Sequence, residues 1–263
     1  MRNLSKFLTA WSLPFLVATA GSVRAEEAFV FDVPSMSEEA ESAGLEHSYE
    51  GPWEYFVGGG VASFDCNGDR MPDLFMAGGT APSQLFLNRS KVGGALQFEK
   101  RALELSQRDQ SKVLGVYPVN IDNDAYTDLV LLRLGENIIL KGGADCRFTK
   151  SNREFSFDGG RAWSTAFAAT WEKASSYPTL AFGNYVDRSA PGSPWGTCEA
   201  NVLARPQKSG EMPNYGEPFT LQPGHCALSV LFTDWNRSGT PALRVTNDRQ
   251  YYRGGQEQLW RIP

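Results

Sequence analysis

The chain has 263 residues, with 25 basic against 30 acidic side chains and a net charge of -5. Such an acidic chain lacks the basic surface that phosphate neutralisation needs, so nucleic acid is excluded as the expected partner and divalent cations are favoured. With 26 Gly, 15 Pro and 12% aromatic residues, and no long amphipathic run, the composition favours many short strands joined by turns.

Residues 1–25 read as a secretory signal. Arg2 and Lys6 form a basic start, an apolar stretch runs from Phe7 to Ala20, and Val23 with Ala25 supplies small residues ahead of Glu26. The apolar part is short and interrupted by Pro14, so no membrane span is expected there, nor in any later stretch. Cleavage removes Arg2, Lys6 and Arg24 and no acidic residue, moving the net charge from -5 to -8. The expected location is secreted or periplasmic, where four cysteines are expected to form two disulfides. Cys198 and Cys226 bracket a Pro- and Gly-rich stretch and are expected to pair, which leaves Cys66 with Cys146; three pairings remain open to four cysteines. Residues 26–50, rich in Glu and Ser, read as an extended lead-in.

From residue 51 to 263 the chain repeats. Gly60 to Phe75 is an apolar strand, an Asp/Asn-rich turn and a second apolar strand, and Gly115 to Val130 follows the same order 55 residues later. Leu228 to Gly239 repeats it again, and Ala166 to Phe182 keeps the outline with a turn that has lost its acidic residues. Units at this spacing point to stacked repeats, each burying a sheet face on its neighbour. The predicted class is all-β: a β-propeller of four-stranded antiparallel blades at about 55–108, 109–158, 160–222 and 225–263. The strands are expected near 59–64, 73–78, 84–88 and 96–100; 114–120, 128–134, 137–141 and 154–157; 163–169, 179–184, 200–204 and 218–221; and 227–233, 242–247 and 257–262. The last unit lacks an outer strand, so the ring is expected to be incomplete and its open edge to offer a surface for self-association.

The acidic turns carry the chemistry. In the first, Asp65, Asn67 and Asp69 alternate and Asp73 follows, with the carbonyl of Met71 as a further oxygen donor. The second offers Asn120, Asp122, Asp124 and Asp128, with the carbonyl of Tyr126. Calcium takes six to eight oxygens in flexible geometry, and the mutual repulsion of three carboxylates per loop favours a bound cation. Gly68 stands where the first loop must bend into the left-handed region, and Asn123 takes that place in the second. The alternative is a set of Asx turns capping the strands. In the fourth turn Asp234, Asn236 and Ser238 remain but Ala242 replaces the last carboxylate, and in the third Lys173 falls among the ligand positions. Neither is expected to hold metal.

Asp65-x-Asn67-Gly68-Asp69-x-x-x-Asp73-Leu74 and Asn120-x-Asp122-Asn123-Asp124-x-x-x-Asp128-Leu129 resemble the FG-GAP/VCBS repeats of integrin α-type propellers. Phe182 to Asp187 and Glu257 to Arg261 are similar to the exported cartilage-acidic-protein-like branch. The resemblance spans roughly residues 55 to 263. It implies calcium in the loops between the first two strands of a blade, and adhesion or recognition of an extracellular protein or glycan as the function.

No nucleophile motif, paired-His spacing or phosphate loop accompanies His47, His225, Gly58–Gly60 or Gly78–Gly79, which read as structural. Trp235, Tyr251, Tyr252 and Trp260 read as packing residues before they read as a binding surface. The expected function is a calcium-binding recognition module without catalysis. The competing reading is a propeller-fold enzyme acting on polysaccharide, which requires a carboxylate pair in a pocket apart from the calcium turns.

Overall fold

The structure, a computed structural model, describes residues 31, 33–173, 175–190, 197–207, 210–248 and 255–262. The predicted signal segment lies outside the described residues, as do Tyr251 and Tyr252. The chain divides into a unit spanning Met1–Glu38 and a unit spanning Glu39–Pro263. In the first, the described residues carry no helix or strand.

The second unit is all-β and antiparallel. Its first sheet is β1 (Val61–Phe64), β2 (Asp73–Met76), β3 (Gln84–Asn88) and β4 (Phe98–Arg101), paired in that order. A short helix, α1 (Gln107–Gln110), follows, with Ser106 as its cap: the Ser106 hydroxyl accepts the Asp109 N–H at 3.1 Å. The second sheet is β5 (Val113–Val119), β6 (Asp128–Arg133), β7 (Ile138–Gly143) and β8 (Arg147–Lys150). The third begins with β9 (Ser164–Thr170) and β10 (Thr179–Asn184). After a two-stranded ribbon of β11 (Val186–Asp187) and β12 (Thr197–Cys198), it is completed by β13 (Asn201–Ala204) and β14 (Phe219–Leu221). The fourth has three strands, β15 (Ala227–Thr233), β16 (Ala242–Asn247) and β17 (Gln258–Arg261).

The strand order matches the sequence reading with two differences. The fourth strand of the second unit, expected at 154–157, is 147–150. The chain reverses directly after β7, with Asp145 and Cys146 in the left-handed region at φ 55° and 58°. Phe155 and Phe157 alternate as a strand would, but they sit on a turn in which the N–H groups of Phe155 and Phe157 bond the carbonyls of Ser151 and Asn152 at 3.0 and 2.8 Å. Their side chains fill a core from that turn, and this burial produced the strand-like pattern. The ribbon was not anticipated, because two residues per strand leave no periodicity to read.

The four sheets pack in series through three apolar layers. Along β6, Leu129 and Leu131 face the first sheet while Val130 and Leu132 face the third. On β10, Leu180 and Phe182 face the second sheet and Ala181 the fourth. This period-two alternation with both faces buried makes the inner strands continuously apolar. Each fully buried Leu, Ile or Phe contributes about 1.5–3 kcal/mol of apolar transfer. The first strands of successive sheets lie side by side, β1 against β5, β5 against β9 and β9 against β15.

Two of the three neighbouring pairs are also stapled. Cys66–Cys146 ties the first sheet to the second, and Cys198–Cys226 ties the ribbon beside the third sheet to the entry of the fourth. Both pairings are the ones expected. Residues 39–50 cover the outer side of the first sheet: the Phe98 N–H donates to the Ala43 carbonyl at 2.8 Å, and Glu50 bridges Gly79 in parallel. A Cβ on Gly79 would stand 2.0 Å from the Glu50 carbonyl oxygen, and its φ is +66°, so only glycine serves there. The outer face of the fourth sheet is open, with Leu231 and Leu259 half exposed. Among the described residues the sheets do not form a closed ring.

Candidate functional site

The loop between the first two strands has the same length in every sheet: 65–72, 120–127, 171–178 and 234–241. Strand register then places Asp73, Asp128, Thr179 and Ala242 at one equivalent position, opposite Phe64, Val119, Thr170 and Thr233. The repeat read from the sequence is therefore a repeat of geometry.

Asp73 and Asp128 are fully buried and do the same work. The Asp73 carboxylate accepts the N–H of Cys66 at 3.0 Å and of Asn88 at 2.8 Å. Asp128 accepts those of Ile121 at 2.7 Å and Gly142 at 2.8 Å. Each carboxylate thus ties its loop to the third strand of its own sheet. Burial raises the pKa of both, to about 6 for Asp128, against the lowering effect of these N–H donors. In the third sheet the tie is made with other groups: Thr179 Oγ1 donates to Glu172 at 2.5 Å, and Glu172 takes Arg205 at 2.9 and 3.0 Å.

The first loop closes through Asx turns. Asp65 accepts the N–H groups of Asn67, Gly68 and Arg70 at 3.2, 2.7 and 2.7 Å, and Asp69 accepts that of Met71 at 2.8 Å. Burial opposes the Asp65 charge, but the backbone N–H groups outweigh it and hold its carboxyl below the usual range. Gly68 has φ +80° and Asn123 φ +62°, the left-handed placements expected of them. The carboxylates of Asp65, Asp69 and Asp73 do not all approach within 4.8 Å of one another. Cys66, Cys146 and Asp73 do cluster, but the two sulfurs are bonded to each other and offer no thiolate.

The loops differ most in their counter-charge. Lys141 pairs with Asp122 and, at 3.3 Å, with Asp124. Partial burial works against its ammonium, but the two carboxylates outweigh that and raise its pKa. The register Leu129↔Leu140 puts Lys141 beside Asp128, and the same step along the third strand of the other sheets gives Leu87, Arg205 and Arg261. Three sheets place a cation at this position and the first places leucine. Among the described residues no ion pair reaches Asp65, Asp69 or Asp73. In the second loop the Asn120 amide donates to the Asp124 carbonyl at 2.6 Å, while its Oδ1 is buried without a donor.

Replacing Lys141 by Met is expected to lower stability in chelator by about 1 kcal/mol, the scale of a part-exposed ion pair. Added calcium is expected to restore it, so that the variant depends on calcium more strongly than the parent. Thermal unfolding in calcium and in chelator checks this; equal calcium dependence in the two proteins defeats it.

Of the residues read as structural in the sequence, His47 and Trp260 have such places. His47 Nε2 bonds the Ala77 carbonyl at 2.7 Å. Trp260 packs against the layer between the third and fourth sheets, whereas Trp235 is 65% exposed.

At the opposite end of β6 from the acidic loop, a cleft of about 590 Å³ opens beside the third sheet. Phe182, Val202 and Thr220 form one cross-strand row along its wall. Asn137, Ser164 and Asn184, all buried, line it and bond in sequence at 2.8 and 2.7 Å. Asp158, Asp187, Glu199, Arg161 and Arg188 supply its charges. None of these was legible as a site in the sequence, because the lining comes from segments separated by up to 86 residues, Leu134 to Thr220. No family model matches the chain, and no curated protein matches it.

Proposed function

We propose that the chain is an exported β-propeller-type repeat module that binds a protein or glycan, carries one calcium ion in its first acidic loop, and is not an enzyme. The observation that carries this reading is the counter-charge pattern: only the first loop combines three carboxylates with an apolar residue, Leu87, at the position where the other sheets present Lys141, Arg205 and Arg261. Asp65, Asn67, Asp69, Asp73 and the Met71 carbonyl are the oxygen donors for calcium there, a donor set of the hard type it prefers. Each oxygen of Asp73 accepts a single N–H and keeps a lone pair. Bound calcium neutralises the loop and stiffens it. In the second loop Lys141 takes the place of the ion.

The serial packing of three four-stranded and one three-stranded antiparallel sheets, with first strands adjacent, supports the propeller-type assignment and agrees with the FG-GAP/VCBS resemblance of the loops. Among the described residues β17 has one unpaired edge, and that edge is the surface for self-association. The two disulfides suit an oxidising compartment. No helix among the described residues is long and apolar enough to cross a membrane. The polysaccharide-enzyme reading draws support from Asp187 and Glu199, which share a cleft apart from both acidic loops.

Calcium is expected to raise the melting temperature of purified residues 26–263 over the value in chelator, with magnesium unable to substitute. Binding linkage gives about 2.7 kcal/mol at a hundredfold excess over Kd. Calorimetric titration should find one site per chain. An unchanged melting temperature at millimolar calcium leaves the loops as plain Asx turns and ends the proposal.

A further inference from the structure

Glu199 is held in a way that ordinary surface carboxylates are not. Its N–H donates to the Tyr185 carbonyl at 2.8 Å, and the preceding residue is Cys198, locked to Cys226. The following carbonyl, of Ala200, accepts the buried Asn184 amide at 2.7 Å. The backbone on both sides is therefore anchored, and the carboxyl lines the cleft partly buried. Asp187 lies on the paired strand of the same ribbon, where Val186 and Asp187 oppose Cys198 and Thr197. Asp187 is turned to Ser189, taking its N–H at 2.8 Å and its hydroxyl at 2.6 Å. Trp163 also lines the cleft. It is 1% exposed, and its indole Nε1–H has no partner. A buried indole N–H ordinarily finds one.

We infer that this cleft binds a neutral oligosaccharide, with Glu199 accepting hydrogen bonds from ligand hydroxyls. The lining pairs the Glu199 acceptor with side-chain donors, Arg161 and Thr220, and sugar hydroxyls both donate and accept. In the Phe182–Val202–Thr220 row the half-buried Val202 and the exposed Thr220 present the accessible wall, with Phe182 buried behind it. Charge selects a neutral ligand: the acidic side chains Asp158, Asp187 and Glu199 outnumber Arg161 and Arg188, and Arg188 is already paired with Glu54 at 2.8 Å. An anionic sugar would meet like charge. Within this wall β13 is paired on both sides, with β10 and β14, so among the described residues the outer edge of β14 is the one place where an extended peptide could add a strand. The volume, about 590 Å³, is that of a small-ligand site. Burial, with the Asp187 charge adding to it, raises the Glu199 pKa and strengthens its demand for hydrogen-bond donors.

This inference gives the recognition reading a place and a ligand class, and it is separable from the calcium proposal because the cleft and the acidic loops lie at opposite ends of β6. The test is calorimetric titration of residues 26–263 with cellohexaose, laminarihexaose, xylohexaose and mannohexaose, each in calcium and in chelator, with tetralysine as a cationic peptide control. At least one sugar is expected to bind with Kd at or below about 1 mM in both buffers. Glu199→Gln is expected to weaken it at least about tenfold, the loss of a charge-assisted hydrogen bond, without moving the melting temperature. Thr220→Trp, at an exposed position on the rim, is expected to block the cleft and abolish binding while the fold persists. Overturning results are failure of all four sugars, sugar binding indifferent to both substitutions, binding only in calcium, or tetralysine binding lost in Glu199→Gln.

Discussion

Replacing Asp128 by alanine is expected to remove roughly 3–6 kcal/mol of stability, in calcium and in chelator alike. Asp128 has no exposed surface, and its two oxygens take one backbone N–H each, from Ile121 in the loop and Gly142 in β7. Hydrogen bonds to a charged group contribute about 1.5–3 kcal/mol each, and here the partners are main-chain donors that cannot be mutated away. Alanine leaves both buried without acceptors. Burying a carboxylate is itself costly, as its raised pKa shows, yet breaking such a cluster on one side costs more than building it. For a chain of this size the melting temperature should fall by about 2–4 °C per kcal/mol. Asp128→Asn keeps one acceptor oxygen and should recover part of the loss. Urea unfolding of the three proteins in both buffers decides the point. A deficit seen only in calcium would make Asp128 a metal ligand and not a clamp.

The double substitution of Cys66 and Cys146 by serine is the second large effect. The cysteines are 80 residues apart, and constraining a loop of that length stabilises by about 4–5 kcal/mol through the unfolded chain. The corresponding figure for Cys198–Cys226, separated by 28 residues, is about 3.5 kcal/mol. The first pair does something the second does not. Cys66 is the second residue of the first acidic loop, and its N–H holds Asp73, so the bond to Cys146 anchors that loop against the neighbouring sheet. Calcium affinity should therefore fall in the double variant, while the Cys198/Cys226 variant keeps it. Denaturant midpoints and a calcium titration on both variants give the comparison. Equal calcium affinity in the two would remove Cys66–Cys146 from any part in the site.

Much of the architecture was legible because local patterns carry it. The alternation in Val61–Phe64 and the apolar runs of Asp128–Arg133 and Thr179–Asn184 announce strands buried on one face or two. The eight-residue Asp/Asn loops announce the hairpins, and they recur in the same frame at 65–72 and 120–127. Gly68 and Asn123 announce the left-handed bend inside them. These features depend on sterics and hydrogen bonds within a few residues, and a linear chain displays them directly. The misplaced fourth strand of the second sheet marks the limit of this reading. Phe155 and Phe157 have the spacing of a strand, but a turn aims both at one core, and periodicity alone does not distinguish the two.

What each buried aspartate does was not legible. Asp73 and Asp128 read as metal ligands from their loops, yet half of their hydrogen bonding comes from the third strand, at Asn88 and Gly142. The counter-charge was hidden for the same reason. Leu87, Lys141, Arg205 and Arg261 follow Asp73, Asp128, Thr179 and Ala242 at intervals of 14, 13, 26 and 19 residues, so no spacing in the chain links them. Only strand pairing does. The sequence by itself determined the strands other than β8, β11 and β12, the acidic hairpins and a pairing of cysteines that the structure contains. Tertiary structure alone decided which acidic loop is left without an internal cation, and which distant segments wall the cleft. Charge compensation and cavity formation depend on distance in space, and pairing between strands sets that distance without leaving a periodic trace in the order of residues.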